Sequence, residues 1–196
     1  GSGQSVTTLS FADLLAQGAD IVGTPGDDRL LGTPLVDRMT GGAGNDTYVV
    51  GNVGDQVIEA ADEGIDTVES SIDYQLGDHL ENLLLLTNNA LNGTGNALDN
   101  RLIGNTADNI LSGGAGADTY SLSRSTGNDV LIDDGGNRIQ LNSGIGFADV
   151  VAKRNGDDLV LNVSGDAATT RIRDYFLNGT AWDVTDASGN LTDTQA

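Results

Sequence analysis

Three aspartates, Asp28, Asp37 and Asp46, stand nine residues apart, and a fourth, Asp118, sits in a stretch that copies an earlier one. GGAGNDTYV (41–49) reappears as GGAGADTYS (113–121), 72 residues on, which is eight nines. Carboxylates in glycine-rich loops offer hard oxygen ligands, and the cation that takes many such ligands in a flexible shell is calcium. The composition agrees. The 196-residue chain has 29 acidic and 9 basic residues, a formal charge of −20, and 25 of the acids are Asp rather than Glu. Asp prefers turns and oxygen-rich metal loops, whereas solvated helix faces prefer Glu.

Other chemistry is poorly represented. There is no Cys, which excludes disulfides, thiolate metal sites and Cys nucleophiles. The single His79 sits in a loop, no Gly-x-Ser-x-Gly occurs, and the pair Asp157–Asp158 fits a turn. The expectation is that the chain is not an enzyme. The negative charge argues against nucleic acid and anionic membranes as partners, and no apolar run is long enough to insert into a membrane.

The elements that hold these aspartates follow from the period. From Gly23 the chain reads GTPGDDRLL, GTPLVDRMT and GGAGNDTYV; from Gly95 it reads GNALDNRLI, GNTADNILS and GGAGADTYS. The sixth residues are Asp28, Asp37, Asp46, Asn100, Asn109 and Asp118; the eighth are Leu30, Met39, Tyr48, Leu102, Leu111 and Tyr120. A disordered Gly/Asp tract would not keep an apolar residue at every eighth position. Six residues make a turn and three a short strand, so two units complete a coil of about 18 residues in a parallel solenoid. Loops one coil apart then stack about 4.8 Å apart, the spacing of neighbouring strands. With Ca–O bonds of about 2.4 Å, an ion between two such loops meets oxygens from both, and Asp28 with Asp46 is the leading pair. Glycines let the loop turn its carbonyls inward as further ligands.

On these motifs the chain resembles the RTX, or haemolysin-type, calcium-binding repeat proteins. The resemblance implies an all-β, right-handed parallel β-roll whose ions lie between loops of successive coils, held by sixth-position Asp side chains and by carbonyls of the Gly-rich turns. Carried over, it points to Asp28, Asp37, Asp46, Asp55 and Asp66, with carbonyls of Gly23, Pro25, Gly26, Gly41, Gly42, Ala43 and Gly44. Asp37 pairs with Asp55, and Asp46 with Asp66 through a two-residue slip. In the second block it points to Asn100, Asn109 and Asp118, with Gly113, Gly114, Ala115 and Gly116. Asp129 again falls sixth, in 124–132, and Asp133 opens a further Gly-rich turn that caps the ion column. Asn binds calcium less well than Asp, so the second block is the weaker one.

The remaining segments complete the expected organisation. Residues 1–22 comprise a tag remnant, GSGQ, and an amphipathic capping helix at 10–18, with Ser10 and Asp13 as a capping box and Gly18 as terminator. Residues 23–69 form the first block and 95–141 the second. The insert 70–94 continues the roll with longer, metal-poor loops, including strands at 71–76 and at Leu83–Leu86, the latter buried if both faces are covered. Residues 142–196 form a C-terminal β element with a hairpin at RNGDD, an aromatic pair Tyr175–Phe176, and Trp182 sealing that end. The expected function is a calcium-folded extracellular module; the resemblance to RTX proteins implies, further, export by type I secretion from a Gram-negative bacterium and neighbouring units of a larger RTX protein. A glycan-binding or adhesive module on the same roll is the alternative.

Overall fold

The computed structural model describes residues 18–133, 136–178 and 182–190; the capping helix expected at 10–18 falls outside them except for Gly18. Among the described residues the chain is a parallel β-solenoid with almost no helix. Its short strands are β1 (Asp20–Val22), β2 (Arg29–Leu31), β3 (Arg38–Thr40), β4 (Thr47–Val50), β5 (Gln56–Ile58), β6 (Thr67–Ser70), β7 (Tyr74–Gln75), β8 (Asn82–Leu85) and β9 (Asn92–Thr94). The series continues with β10 (Arg101–Ile103), β11 (Ile110–Ser112), β12 (Thr119–Leu122), β13 (Asp129–Leu131) and β14 (Arg138–Leu141). Alternate strands pair, so the roll has two walls. One is a continuous eight-stranded sheet, β2-β4-β6-β8-β10-β12-β14 followed by β18 (Asp183–Thr185). The other is split into β1-β3-β5 and a seven-stranded sheet that starts at β7.

A three-residue strand has one central side chain to bury and a four-residue strand has two; the eighth position of the repeat supplies the first of them. Leu30, Tyr48, Val68, Leu83, Leu102, Tyr120 and Ile139 are in register down one wall and all are buried. Met39, Leu111 and Leu131 face them from the other wall. Gly93 stands in that row because a Cβ there would press on Leu83 and Leu111.

The 18-residue coil holds where the nines are intact, as in Arg29↔Thr47 and Arg101↔Thr119. Elsewhere it stretches or shrinks: Thr47↔Thr67, Thr67↔Asn82 and Thr119↔Arg138 pair across coils of 20, 15 and 19 residues. Two strand readings change. Leu83 and Leu85 are buried but Leu84 and Leu86 are only half-buried, so β8 is covered on one face. The 71–76 segment contributes only Tyr74–Gln75 to a strand, with Leu76 buried after it.

The C-terminal end closes both walls. The antiparallel strands β15 (Val150–Asn155) and β16 (Asp158–Val163) turn at Gly156, whose φ of +65° suits glycine. β17 (Thr169–Ile172) joins them to β13. Trp182 is buried and stacks on Tyr120, with centroids 5.4 Å apart, while Tyr175 and Phe176 meet edge to face.

Candidate metal centre

Each turn precedes a strand, so sixth-position side chains form two rows, one along each edge of the roll. In each row the residue ties one coil to the next by accepting a backbone N–H. Asp46 Oδ1 accepts from Asp28 N at 2.8 Å, Asp66 Oδ1 from Asp46 N at 2.7 Å, and Asp118 Oδ1 from Asn100 N at 2.7 Å. On the other edge Asp37 Oδ1 accepts from Ala19 N, Asp55 Oδ1 from Asp37 N, and Asp129 Oδ1 from Asn109 N. The structure therefore stacks Asp28 on Asp46, Asp37 on Asp55 and Asp46 on Asp66.

The second oxygen divides the loops into two kinds. In most of them it closes on its own turn. Asp28 Oδ2 accepts from Thr24 N and Thr24 Oγ1, bonds that hold its carboxyl below the usual range, and Asp37 Oδ2 accepts from Thr33 N. Asp55 Oδ2 accepts from Asn52 N. In the two loops that begin Gly-Gly this closure is absent. Gly42 and Gly114 have φ of +92° and +100°, left-handed values that a Thr or Asn at the same place would resist. Among the described residues Asp46 Oδ2 and Asp118 Oδ2 are buried and have no hydrogen-bond partner. They fold back against the first glycine, where a Cβ on Gly41 or Gly113 would collide with the carboxylate. Burial raises the pKa of Asp46 and pushes Asp118 up to about 7, the charge of Asp133 adding to the latter. A buried carboxylate oxygen without a donor is costly unless a cation meets it. These two oxygens have the chemistry of hard-cation ligands.

Asn100 and Asn109 behave differently. Asn100 Oδ1 accepts from Asn96 N at 2.7 Å while its Nδ2 donates to Leu80 O at 3.0 Å; Asn109 Oδ1 accepts from Asn105 N at 2.8 Å while its Nδ2 donates to Leu91 O at 3.0 Å. Asn96 and Asn105 staple further carbonyls in the same way, to Leu80 and Gly77 and to Leu86 and Asn89. The amide N–H groups meet carbonyls of the preceding coil without an ion.

Other site candidates are placed as follows. Gly23, Pro25 and Gly26 lie in the turn before β2, and a Cβ on Gly26 would meet nothing. Ala43 and Gly44 complete the turn before β4, and Ala115 and Gly116 the turn before β12; Gly44 and Gly116 have positive φ against the backbone of the coil before. Asp129 is mostly buried, which pushes it up to about 7. Asp133 follows β13 and accepts a hydrogen bond from the Tyr120 hydroxyl.

Three residues escaped the nine-residue reading. Glu81 accepts from Asp66 N at 2.8 Å, its longer arm spanning the shortened coil, and Asn137 accepts from Asp118 N at 2.7 Å. Glu59 follows β5, accepts from the Tyr48 hydroxyl, and lies with Asp46 and Asp66 so that one oxygen of each falls within 4.8 Å of the others. Burial pushes Glu59 up to about 7 against that hydrogen bond, and the charges of Asp66 and Asp46 add to the rise.

The RTX calcium-binding nonapeptide repeat family matches residues 22–57 and 94–124, with four copies of the repeat, and these stretches include both Gly-Gly turns. The chain carries RTX calcium-binding nonapeptide repeats in these two stretches. Its RTX repeats bind Ca2+, in accord with the fold and with the oxygens of Asp46 and Asp118. The chain is also similar to two proteins of Rhizobium meliloti (strain 1021). It is 36% identical over 116 residues to the endo-1,3-1,4-beta-glycanase ExsH, covering 59% of this chain and 23% of that protein. It is 28% identical over 146 residues to the endo-1,3-1,4-beta-glycanase EglC, covering 65% of this chain and 29% of that protein. The chain thus spans only about a quarter of the relatives it matches.

Proposed function

We propose that this RTX module folds on binding calcium and serves as a folding and secretion scaffold within a longer extracellular protein. The observation that carries the reading is the pair of buried oxygens Asp46 Oδ2 and Asp118 Oδ2, without a hydrogen-bond partner among the described residues, each in a Gly-Gly turn and each in line with a carboxylate or amide of the next coil. When bound, calcium supplies the positive charge that reverses the repulsion among stacked aspartates. The chain's own residues orient those carboxylates and hold the turns open through Gly42 and Gly114. Because the ion binds the stacked loops and not the unfolded chain, its binding free energy is folding free energy. A chain that is loose at low calcium and compact at high calcium suits export followed by folding outside. No catalytic constellation is assigned to this module.

The test is a calcium titration of the chelator-treated chain followed by circular dichroism. A β signal that rises with calcium, and only weakly with magnesium, is expected, since magnesium demands a tighter octahedron. A spectrum that calcium leaves unchanged sinks the reading. A second reading, contact with an extracellular glycan, rests on the glycanase names of the two relatives. A glycan array probed with the calcium-loaded chain tests it, and absence of binding would leave the glycan chemistry of such proteins to their other regions.

A further inference from the structure

We propose that Glu59 is a third side-chain ligand which, with Asp46 and Asp66, holds a calcium ion against the interior of the roll, and that the buried Tyr48 hydroxyl positions it. This rests on the calcium-binding reading above and adds a ligand that the nonapeptide pattern does not contain. Four observations carry it. The Tyr48 ring is fully buried, so its hydroxyl is fixed; it accepts from Gly41 N at 2.7 Å and donates to Glu59 Oε1. Glu59 Oε2 and Asp46 Oδ2 are both buried and, among the described residues, both lack a hydrogen-bond partner. One oxygen from each of Asp46, Glu59 and Asp66 lies within 4.8 Å of the other two. Ligands of one calcium ion sit about 2.3–2.6 Å from it, so no two of them are more than about 5 Å apart, and the three carboxylates meet that limit. Finally, Glu59 follows β5, the strand at which the split wall ends, so the chain is free there to turn a side chain inward.

The second block repeats the device with poorer donors. Tyr120 is buried, its hydroxyl accepts from Gly113 N at 2.5 Å and donates to Asp133, and Asp118 Oδ2 is again buried with no hydrogen-bond partner among the described residues. Where the first copy has Asp66, this one has Asn137, whose Oδ1 is engaged by Asp118 N and whose Nδ2 is buried without an acceptor among the described residues. An amide nitrogen is not a calcium ligand. The first site, with three carboxylates, is therefore the tighter of the two.

Isothermal calorimetry of the full chain with calcium tests this. Glu59→Gln keeps size and shape, and it is expected to lose one ion from the stoichiometry or to weaken one site at least about tenfold, with the calcium-saturated dichroism spectrum unchanged. Tyr48→Phe leaves every carboxylate in place and is expected to weaken one site by several-fold while keeping the ion count. Tyrosine-sensitised luminescence of terbium bound in place of calcium should fall in Glu59→Gln. Crystals of the wild-type chain grown with calcium supply a check independent of any variant: an anomalous peak is expected among Asp46, Glu59 and Asp66. Unchanged calcium stoichiometry and affinities in Glu59→Gln, or anomalous peaks confined to the outer turns, overturn the proposal. If the wild-type chain takes up no calcium at all, the functional reading above falls first.

Discussion

Alanine at Asp46 and at Asn109 separates the two jobs of a sixth-position side chain. Asn109 loses the bond from Asn105 N and the bond to Leu91 O. At about 1 kcal/mol net for each, plus about 1–2 kcal/mol for a stranded buried group, the cost is on the order of 2–4 kcal/mol. No ion takes part, so the cost is the same at every calcium concentration. Asp46 loses the bond from Asp28 N, about 1.5–3 kcal/mol for a charged acceptor, but the substitution also removes a buried carboxylate whose other oxygen has no partner. In chelator these effects offset, and Asp46→Ala should cost about 1 kcal/mol or less. Calcium restores the difference. One ion with a Kd of about 0.1 mM contributes about 2.7 kcal/mol at about 10 mM calcium, and above Kd the contribution grows by about 1.4 kcal/mol per decade. Urea denaturation at a series of calcium concentrations, plotted as unfolding free energy against log calcium, reads both terms. Asp46→Ala should lower the slope by about 1.4 kcal/mol per decade, one ion's worth. Asn109→Ala should shift the whole line down by about 2–4 kcal/mol with its slope intact. Equal slopes for Asp46→Ala and wild type, or a lowered slope for Asn109→Ala, would refute the division of labour between carboxylate and amide.

The glycines supply a second contrast: Gly41→Ala should cost about 1–3 kcal/mol and weaken calcium uptake, because its methyl group strikes Asp46 and Tyr48, whereas Gly26→Ala should be nearly neutral; thermal melts in calcium compare them. In chelator, stability should fall as pH rises from about 4 to about 8. Asp118, Glu59 and Asp129 have folded pKa values raised to about 7, so their contribution is complete below their unfolded values and is lost as pH passes through about 7; melts at several pH values check the sign. Trp182→Ala should cost about 3 kcal/mol by removing the stack on Tyr120, read as a lower denaturation midpoint.

The nine-residue register made the coils, the two walls and the interior row legible, because six-residue turns and three-residue strands leave little freedom once the period is set. It also paired Asp28 with Asp46 and Asp37 with Asp55. A two-residue slip also paired Asp46 with Asp66 across the 20-residue coil, but where coils run to 15 or 19 residues the register no longer says which side chain meets which. Glu81 and Asn137 fill ladder positions that the period does not mark, and Glu59 enters from the far end of its turn. One signal for Glu59 was present: Tyr48 and Tyr120 occupy matching places in the two copies, and an acid follows each by 11 or 13 residues. Nothing in the spacing showed that Asn at the sixth position is a self-sufficient staple. That depends on the carbonyls of Leu80 and Leu91 facing the amide, a relation between coils rather than within one.

Those staples divide the roll by what joins its coils. A turn's carbonyls and the next coil's acids present partial or full negative charge to one another, and something positive must stand between them. From Gly77 to Asn109 the amides of Asn96, Asn100, Asn105 and Asn109 supply it from within the chain. At Asp46 and Asp118 the buried oxygens meet no donor among the described residues, and on the proposed reading an ion from outside supplies the charge. The middle of the solenoid should therefore order at lower calcium than the turns on either side, and act as the template on which they stack. Hydrogen exchange in chelator followed by stepwise calcium addition reads this directly. Amides donated across the stapled coils, Arg101 N to Glu81 O and Gly95 N to Ser112 O among them, should keep protection longest as calcium is withdrawn. Thr67 N, bound to Asp46 O beside the three carboxylates, should lose it first. If all three amides lose protection at one calcium concentration, the coils fold as a single unit and the amide staples have no independent strength.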